Sequence, residues 1–183
     1  MATLTIATAP TVEPVSLIQA KEHLLVPHGE DDTKLTRLIK TARRHVERVL
    51  RRRLINSTWD LFLDCFPSEP IEIPFPPLSS VTSVKYIDED GAEQTESSAT
   101  YTVDTDTEPG RVYLAYDQTW PNTRGIRHAV TIRHVCGYGA AATNVPDDAI
   151  DAVLLVLEKL YRGVNTNDAA IDALLWGNRI VRV

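Results

Sequence analysis

Two histidines, His128 and His134, share strand parity with Val130 and Ile132, a spacing that sets two imidazoles on one face of a sheet. Such a pair could ligate a transition metal or move a proton, but a metal site needs further donors. No cysteine or carboxylate stands at ligand spacing from them, so they read as ordinary strand histidines. Asp104, Asp106 and Glu108 alternate ahead of Pro109-Gly110 in the manner of a calcium loop. The glycine and terminal glutamate that such a loop needs are missing, which leaves a solvated acidic loop. Gly137-Tyr138-Gly139 could cradle a phosphate, yet no Lys, Ser or Thr adjoins it and the next helix opens only at Pro146. The two glycines therefore read as a backbone turn. There is no Gly-x-Ser-x-Gly elbow, no Gly-x-x-x-x-Gly-Lys loop and no His-Glu-x-x-His helix. A protein that is not an enzyme, with no cofactor and no metal, is expected.

The remaining residues with chemical potential are cations. Lys34 to Arg53 holds nine bases and one acid, Glu47, a local charge of +8, whereas Asp60 to Glu108 holds twelve acids and one base, Lys85, a local charge of −11. The 183-residue chain as a whole carries only −6. Leu35, Leu38, Ile39, Ala42, Val46, Val49 and Leu50 fall within about 120° of a helical wheel, and Lys34, Arg37, Lys40, Arg44, Arg48, Arg51 and Arg52 fall on the opposite arc. Three readings of that basic face stand side by side: a solvated surface, a track for DNA phosphates, or a match for an acidic surface on a like subunit. Overall acidity, and the lack of aromatics between the arginines, speak against a dedicated nucleic-acid binder.

The elements that carry these residues follow from periodicity. Ser16 and Gln19 have capping-box spacing and open a helix over 16–25. The basic helix runs over 30–52, with Arg53 rotating onto the apolar face. From 57 to 136 the period becomes two and turns recur, with candidate strands at 58–64, 71–75, 81–87, 100–103, 111–116 and 129–135. Asp90-Gly91 and Pro109-Gly110 mark turns, and the prolines around Ile71 confine that segment to an edge. Pro146 opens a helix over 146–162 that is apolar nearly all round, with Leu155 and Val156 off its main stripe. A last helix spans 167–176. Residues 1–14 read as a flexible Thr/Ala/Pro-rich arm, and 178–183 as an extended tail. The expected class is α+β: a small bundle of about four helices, within a single domain over 15–177, carrying an antiparallel β insertion between the second and third helices.

Composition sets the remaining bounds. With 43% hydrophobic residues, a chain of this length builds its own core without staples. Cys65 and Cys136 form no ligand or disulfide spacing and fit a reducing compartment. The longest apolar run, Ala152 to Leu157, is far too short to span a bilayer, and no leader-like segment opens the chain. No membrane association is expected.

The motifs also occur in a particular order. The helix from Ser16 to Leu25 with Pro27 is followed by a long helix ending Arg51-Arg52-Arg53-Leu54-Ile55, then by Ser57-Thr58-Trp59. Pro76-Pro77-Leu78-Ser79-Ser80-Val81 leads to Val84-Lys85-Tyr86-Ile87-Asp88. Tyr101-Thr102-Val103, Trp120-Pro121 and Val135-Cys136-Gly137-Tyr138-Gly139 come next, and Val145-Pro146 opens the helix that ends at Leu160-Tyr161. In this order the chain resembles the head-to-tail connector (adaptor) proteins of long-tailed double-stranded DNA bacteriophages and phage-like particles, over about residues 14 to 163.

That resemblance implies a structural virion protein, made in a host cytoplasm and placed in the neck of the particle. It implies a homo-oligomeric ring, usually of twelve copies, below the portal protein. The ring would extend the channel through which DNA passes without sequence-specific binding, and would dock the next neck or tail protein. No catalytic residue is implied. Under it, Arg37, Arg44, Arg48, Arg51, Leu155 and Val156 become candidates for the subunit interface or channel wall. The tail residues Arg179, Ile180, Val181, Arg182 and Val183 become candidates for the portal contact. Another neck or tail-completion protein, or a nucleic-acid-binding protein using the arginine helix, are the alternatives.

Overall fold

The computed structural model describes residues 2–163 and 168–177. The chain divides into two compact units, one formed by Met1–Pro10 with Asn56–Gly137 and the other by Thr11–Ile55 with Tyr138–Val183. The α+β class expected from the periodicity holds: among the described residues the second unit has four α-helices and the first two antiparallel sheets.

In the helical unit, α1 (Leu17–Leu24) begins at the expected capping box. The Ser16 hydroxyl accepts the Gln19 N–H at 3.2 Å, and the Gln19 side chain reaches back to the Ser16 N–H at 2.9 Å. Ser16→Ala should cost about 1 kcal/mol, since one orphan donor of the first turn loses its partner. A chemical-denaturation midpoint unchanged by the substitution would mean that water serves this N-terminus equally well.

Helix α2 (Asp32–Leu50) buries Leu35, Leu38, Ile39, Ala42, Val46 and Leu50, the apolar arc read from the sequence. It ends two residues short of expectation, because Arg51 adopts a left-handed conformation (φ 58°) as its C-cap. Helix α3 (Asp147–Arg162) starts after Pro146 and is closed by Gly163 in the same region of backbone space (φ 67°). It packs on α2, with α4 (Asp168–Trp176) against α3. The core they share includes Val15, Leu35, Val46, Leu50, Leu54, Ile55, Val153, Leu157, Ile171 and Leu175.

The β unit departs from expectation at both ends of its larger sheet. Strand β1 (Thr3–Thr8) occupies what reads as a loose arm. It pairs antiparallel with β2 (Ser57–Leu63), Thr3 opposite Phe62 and Ile6 opposite Trp59. The hexapeptide Thr-Leu-Thr-Ile-Ala-Thr is rich in β-branched residues, and a partner some fifty residues away realises that propensity. The short β3 (Ile71–Glu72) lies in a second sheet with β6 (Tyr101–Asp104) and β7 (Arg111–Leu114), in the order β3-β7-β6. It stops before Pro74, as an edge strand with proline must.

Strand β4 (Leu78–Ile87) begins three residues earlier than read. It turns through Asp88–Ala92, with Gly91 at φ 93°, into β5 (Glu93–Thr95). Strand β8 (Val130–Cys136) is central, giving the order β1-β2-β8-β4-β5. Leu61, Val84, Val130 and Ile132 form its buried face together with Ile71, Ile73, Leu78 and Val112.

Candidate functional site

The structure settles the histidines first. His134 is wholly buried in β8, and its Nδ1 lies 3.2 Å from the Ile132 carbonyl, while Nε2 has no partner among the described residues. His128 is exposed at a left-handed position (φ 59°) before the strand, with its ring against Phe62. The two rings do not form one site, and no group of three potential ligands occurs among the described residues.

Burial holds the His134 pKa below the ordinary imidazole value, outweighing its carbonyl bond and the charge of Asp60. The unfolded chain therefore binds the proton more readily. Stability from this residue is complete above about pH 6.5 and falls as pH drops toward the lower folded value. His134→Leu should flatten the pH dependence of the unfolding free energy between about pH 5 and 7. An unchanged slope in urea titrations would remove His134 as its source.

The acidic loop is self-contained. Asp104 accepts the Asp106 N–H at 2.9 Å and the Thr107 N–H at 3.2 Å, and its pKa is lowered first by the Asp106 bond. The Gly-Tyr-Gly segment is a turn: Gly137 sits at φ 143°, and a Cβ on Gly139 would collide with the Asn144 side chain.

The cations of α2 divide into two populations. Arg43 is buried, and its Nε donates to Glu13 at 2.7 Å while Nη1 donates to Glu47 at 2.9 Å. Glu47, also buried, accepts the Leu54 N–H at 3.1 Å and approaches Arg53 Nη1 at 3.5 Å. Burial works against the Arg43 charge, but hydrogen bonds and charge from Glu13 and Glu47 prevail and raise its pKa. This cluster belongs to the framework. Its sequence signal is the i,i+4 pair of Arg43 with the one acid of the segment, which a count of bases alone overlooks.

Arg37, Lys40, Arg44, Arg48 and Arg51 are all exposed, and none meets a carboxylate among the described residues. Lys34 lies over the Tyr161 ring, 4.4 Å from its centroid. Arg37, Lys40, Arg44 and Arg48 follow one another at spacings of three, four and four, which keeps them within about 80° of the helix surface along about 17 Å.

The other candidates fare differently. Val156 is 4% exposed and packs in the core of its own unit, which corrects its place among candidate surface residues. The helix is less uniformly exposed than its apolar sequence implies, because α2 and α4 cover its sides. Leu155 is half-buried at the margin of that core. Arg179, Ile180, Val181, Arg182 and Val183 lie outside the described residues.

Apolar surface that the sequence reading missed sits instead on α1. Ile18 is 70% exposed and Leu25, just past the helix end, 83%. Their seven-residue spacing was the available signal.

In the β unit the acids are mostly engaged internally. Arg133 clamps Asp60 through two bonds of 2.8 Å across β2 and β8, and lowers its pKa. Glu72 accepts from Arg111, Glu93 from Lys85, Asp64 from the His128 N–H, and Asp88 from Ala92 and Gln94. Local pairing, more than a single acidic face, accounts for the −11 segment.

No family model matches the chain, and no curated protein matches it. Among solved structures it is similar to a chain in the neck of an empty gene transfer agent (GTA) particle computed with C6 symmetry, with a TM-score of 0.84 and 23% identity over 99% of this chain and 97% of that one. A chain of the virion of a native GTA particle gives the same values. One in the neck of a native GTA particle computed with C12 symmetry gives a TM-score of 0.83 at the same identity and coverage. The shared property is the whole fold, both units included.

Proposed function

We propose that this chain is a structural neck protein of a phage-like particle: a head-tail adaptor that forms a ring below the portal, extends the DNA channel and docks the next neck or tail component. The observation that carries the reading is likeness over nearly the full length of both chains to proteins in GTA particles, at a TM-score of 0.84. The ordered motifs support the same reading independently.

Neck structures computed with C6 and C12 symmetry suit a ring, and twelve copies of this chain fit that symmetry. A cyclic ring joins one face of each subunit to a different face of the next. Exposed Ile18 and Leu25, with half-buried Leu155, supply apolar surface for such a contact, and Arg37, Arg44, Arg48 and Arg51 supply charge for the same contact or for the channel wall. The alternating Arg179-Ile180-Val181-Arg182-Val183 sequence suits an extended segment added to a portal surface.

Cryo-imaging of intact particles should place this chain in a closed ring between portal and tail. Density for it elsewhere, or its absence from the particle, would overturn the reading.

A further inference from the structure

The outer faces of α2 and α3 carry opposite charge. On α2, Arg37, Lys40, Arg44 and Arg48, with Arg51 at the helix end, are exposed, and the acid nearest in sequence, Glu47, is turned inward to Arg43 and the Leu54 N–H. On α3, Asp147 and Asp151 are exposed one turn apart, and neither meets a cation among the described residues. The other acids of that helix are engaged: Asp148 accepts the Ala149 N–H at 2.8 Å, and Glu158 pairs with Arg162 at 2.8 Å and His23 at 3.3 Å. The helix N-terminus favours Asp147, but Asp151 lies a turn beyond the reach of that dipole.

Placement decides what the two faces can meet. Helices α2 and α3 pack on one another through their buried arcs. Arg44 and Arg48, and likewise Asp147 and Asp151, stand about 150–175° around the helix from the centre of their own buried arc. The two faces are therefore turned away from each other, and neither can neutralise the other within one chain. Their spacing matches, since the arginines, like the aspartates, are four residues and about 6 Å apart along the axis, so two helices side by side bring both pairs into register. Leu155, half-buried a turn beyond Asp151, offers an apolar rest to the aliphatic stem of a cation in the row. Glu22, Glu30 and Asp172 are exposed as well, but on or beside three different helices.

We infer that the cationic row of α2 docks on the Asp147–Asp151 face of α3 in a second copy of this chain. The inference rests on the ring reading for the closure of the assembly, and on charge and spacing for the contact itself. Each copy presents one face of each sign, so the contact is heterologous and repeats from copy to copy until it closes. Like charges on adjacent turns destabilise a helix slightly, and both rows are relieved when they meet.

The test is sedimentation velocity of the full-length chain over a concentration series. Species larger than the monomer should form at about 50 mM potassium chloride and be lost at about 500 mM, where the screening length falls to about 4 Å. Arg44→Glu with Arg48→Glu, and separately Asp147→Lys with Asp151→Lys, should each weaken association about 100-fold, because like charges then face each other. The milder Asp151→Asn, which leaves the helix N-terminus alone, should weaken it about threefold. Mixing the two reversed variants should restore assembly, since each retains the face that complements the other. Glu89→Lys with Asp90→Lys, an equal change of charge in the β unit, should leave association unchanged.

A wild-type chain that is monomeric throughout, a mixture of folded reversed variants that stays dissociated, or an Asp151→Asn chain that assembles undiminished would each overturn the inference. So would undiminished assembly of the arginine-reversed variant together with lost binding to duplex DNA, which would assign the row to a nucleic acid. The neck reading fails separately, if imaging finds no ring of this chain in the neck while the charge swap behaves as expected. A ring in the neck with a failed charge swap defeats the α2–α3 contact and leaves that reading standing.

Discussion

Replacing Glu47 by glutamine should destabilise the helical unit by about 3 kcal/mol, the lower end of what is lost when one member of a buried ion pair is removed. Glutamine keeps the shape and can still accept the Leu54 N–H. It cannot balance Arg43, whose side chain is only 7% exposed and is left with Glu13 alone, nor Arg53 at 3.5 Å. The uncompensated charge of Arg43, more than the lost hydrogen bonds, sets the size of the effect. Removing both charges in Arg43→Met with Glu47→Gln should therefore recover part of the loss, which a double-mutant cycle would read as a coupling of 0.5–3 kcal/mol, roughly. The measurement is urea-induced unfolding, with amide exchange at Leu54 as a local reporter. A loss below about 1 kcal/mol would mean that Glu13 or solvent takes over the neutralisation.

The second large effect is expected in the other unit. Ile132 is fully buried in β8, opposite Leu61 on one side and Val84 on the other, and sits within the apolar cluster of the sheet. Ile132→Ala should cost about 2–5 kcal/mol through lost burial and the cavity left behind. Its signature is faster amide exchange across β2, β8 and β4. Cys136, on the same face, would report the same opening through thiol labelling, since it is buried in the intact sheet. Exchange that accelerates equally in α2 would show that the two units unfold as one, contrary to the separation of their cores.

Both substitutions expose what can be read from a linear sequence. The apolar arc of α2 and the Ser16 cap were legible because each is a local pattern, settled within one or two turns of chain. The end of α2 was not. Its termination at Leu50 comes with a left-handed Arg51, and the Glu47 carboxylate binds a backbone amide seven residues on. Strand β5 was missed because Glu93-Gln94-Thr95 has no apolar residue, and its pairing with β4 supplies the strand geometry that propensity does not. The basic face was correctly placed as a face, while Arg43, counted in the local charge of +8 but outside that arc, had its buried role left unread. Only the buried partners Glu13 and Glu47 distinguish a structural arginine from the exposed row beside it.

The nesting of the β unit inside the helical unit has a consequence for synthesis. Helix α2 is complete at Leu50, yet its packing partner α3 does not begin until Asp147. At about 5–20 residues per second, the ribosome needs several seconds or more to deliver the second half of that core. During that interval the apolar stripe of α2 has only α1 against it, and the larger sheet waits for its central strand β8. The helical core is thus closed last, by contacts of high sequence separation, and its formation is slowed by the loop it must span. A chain truncated near residue 145 holds every strand of the sheet but lacks the α3 cover of α2, the species most exposed to aggregation or chaperone capture.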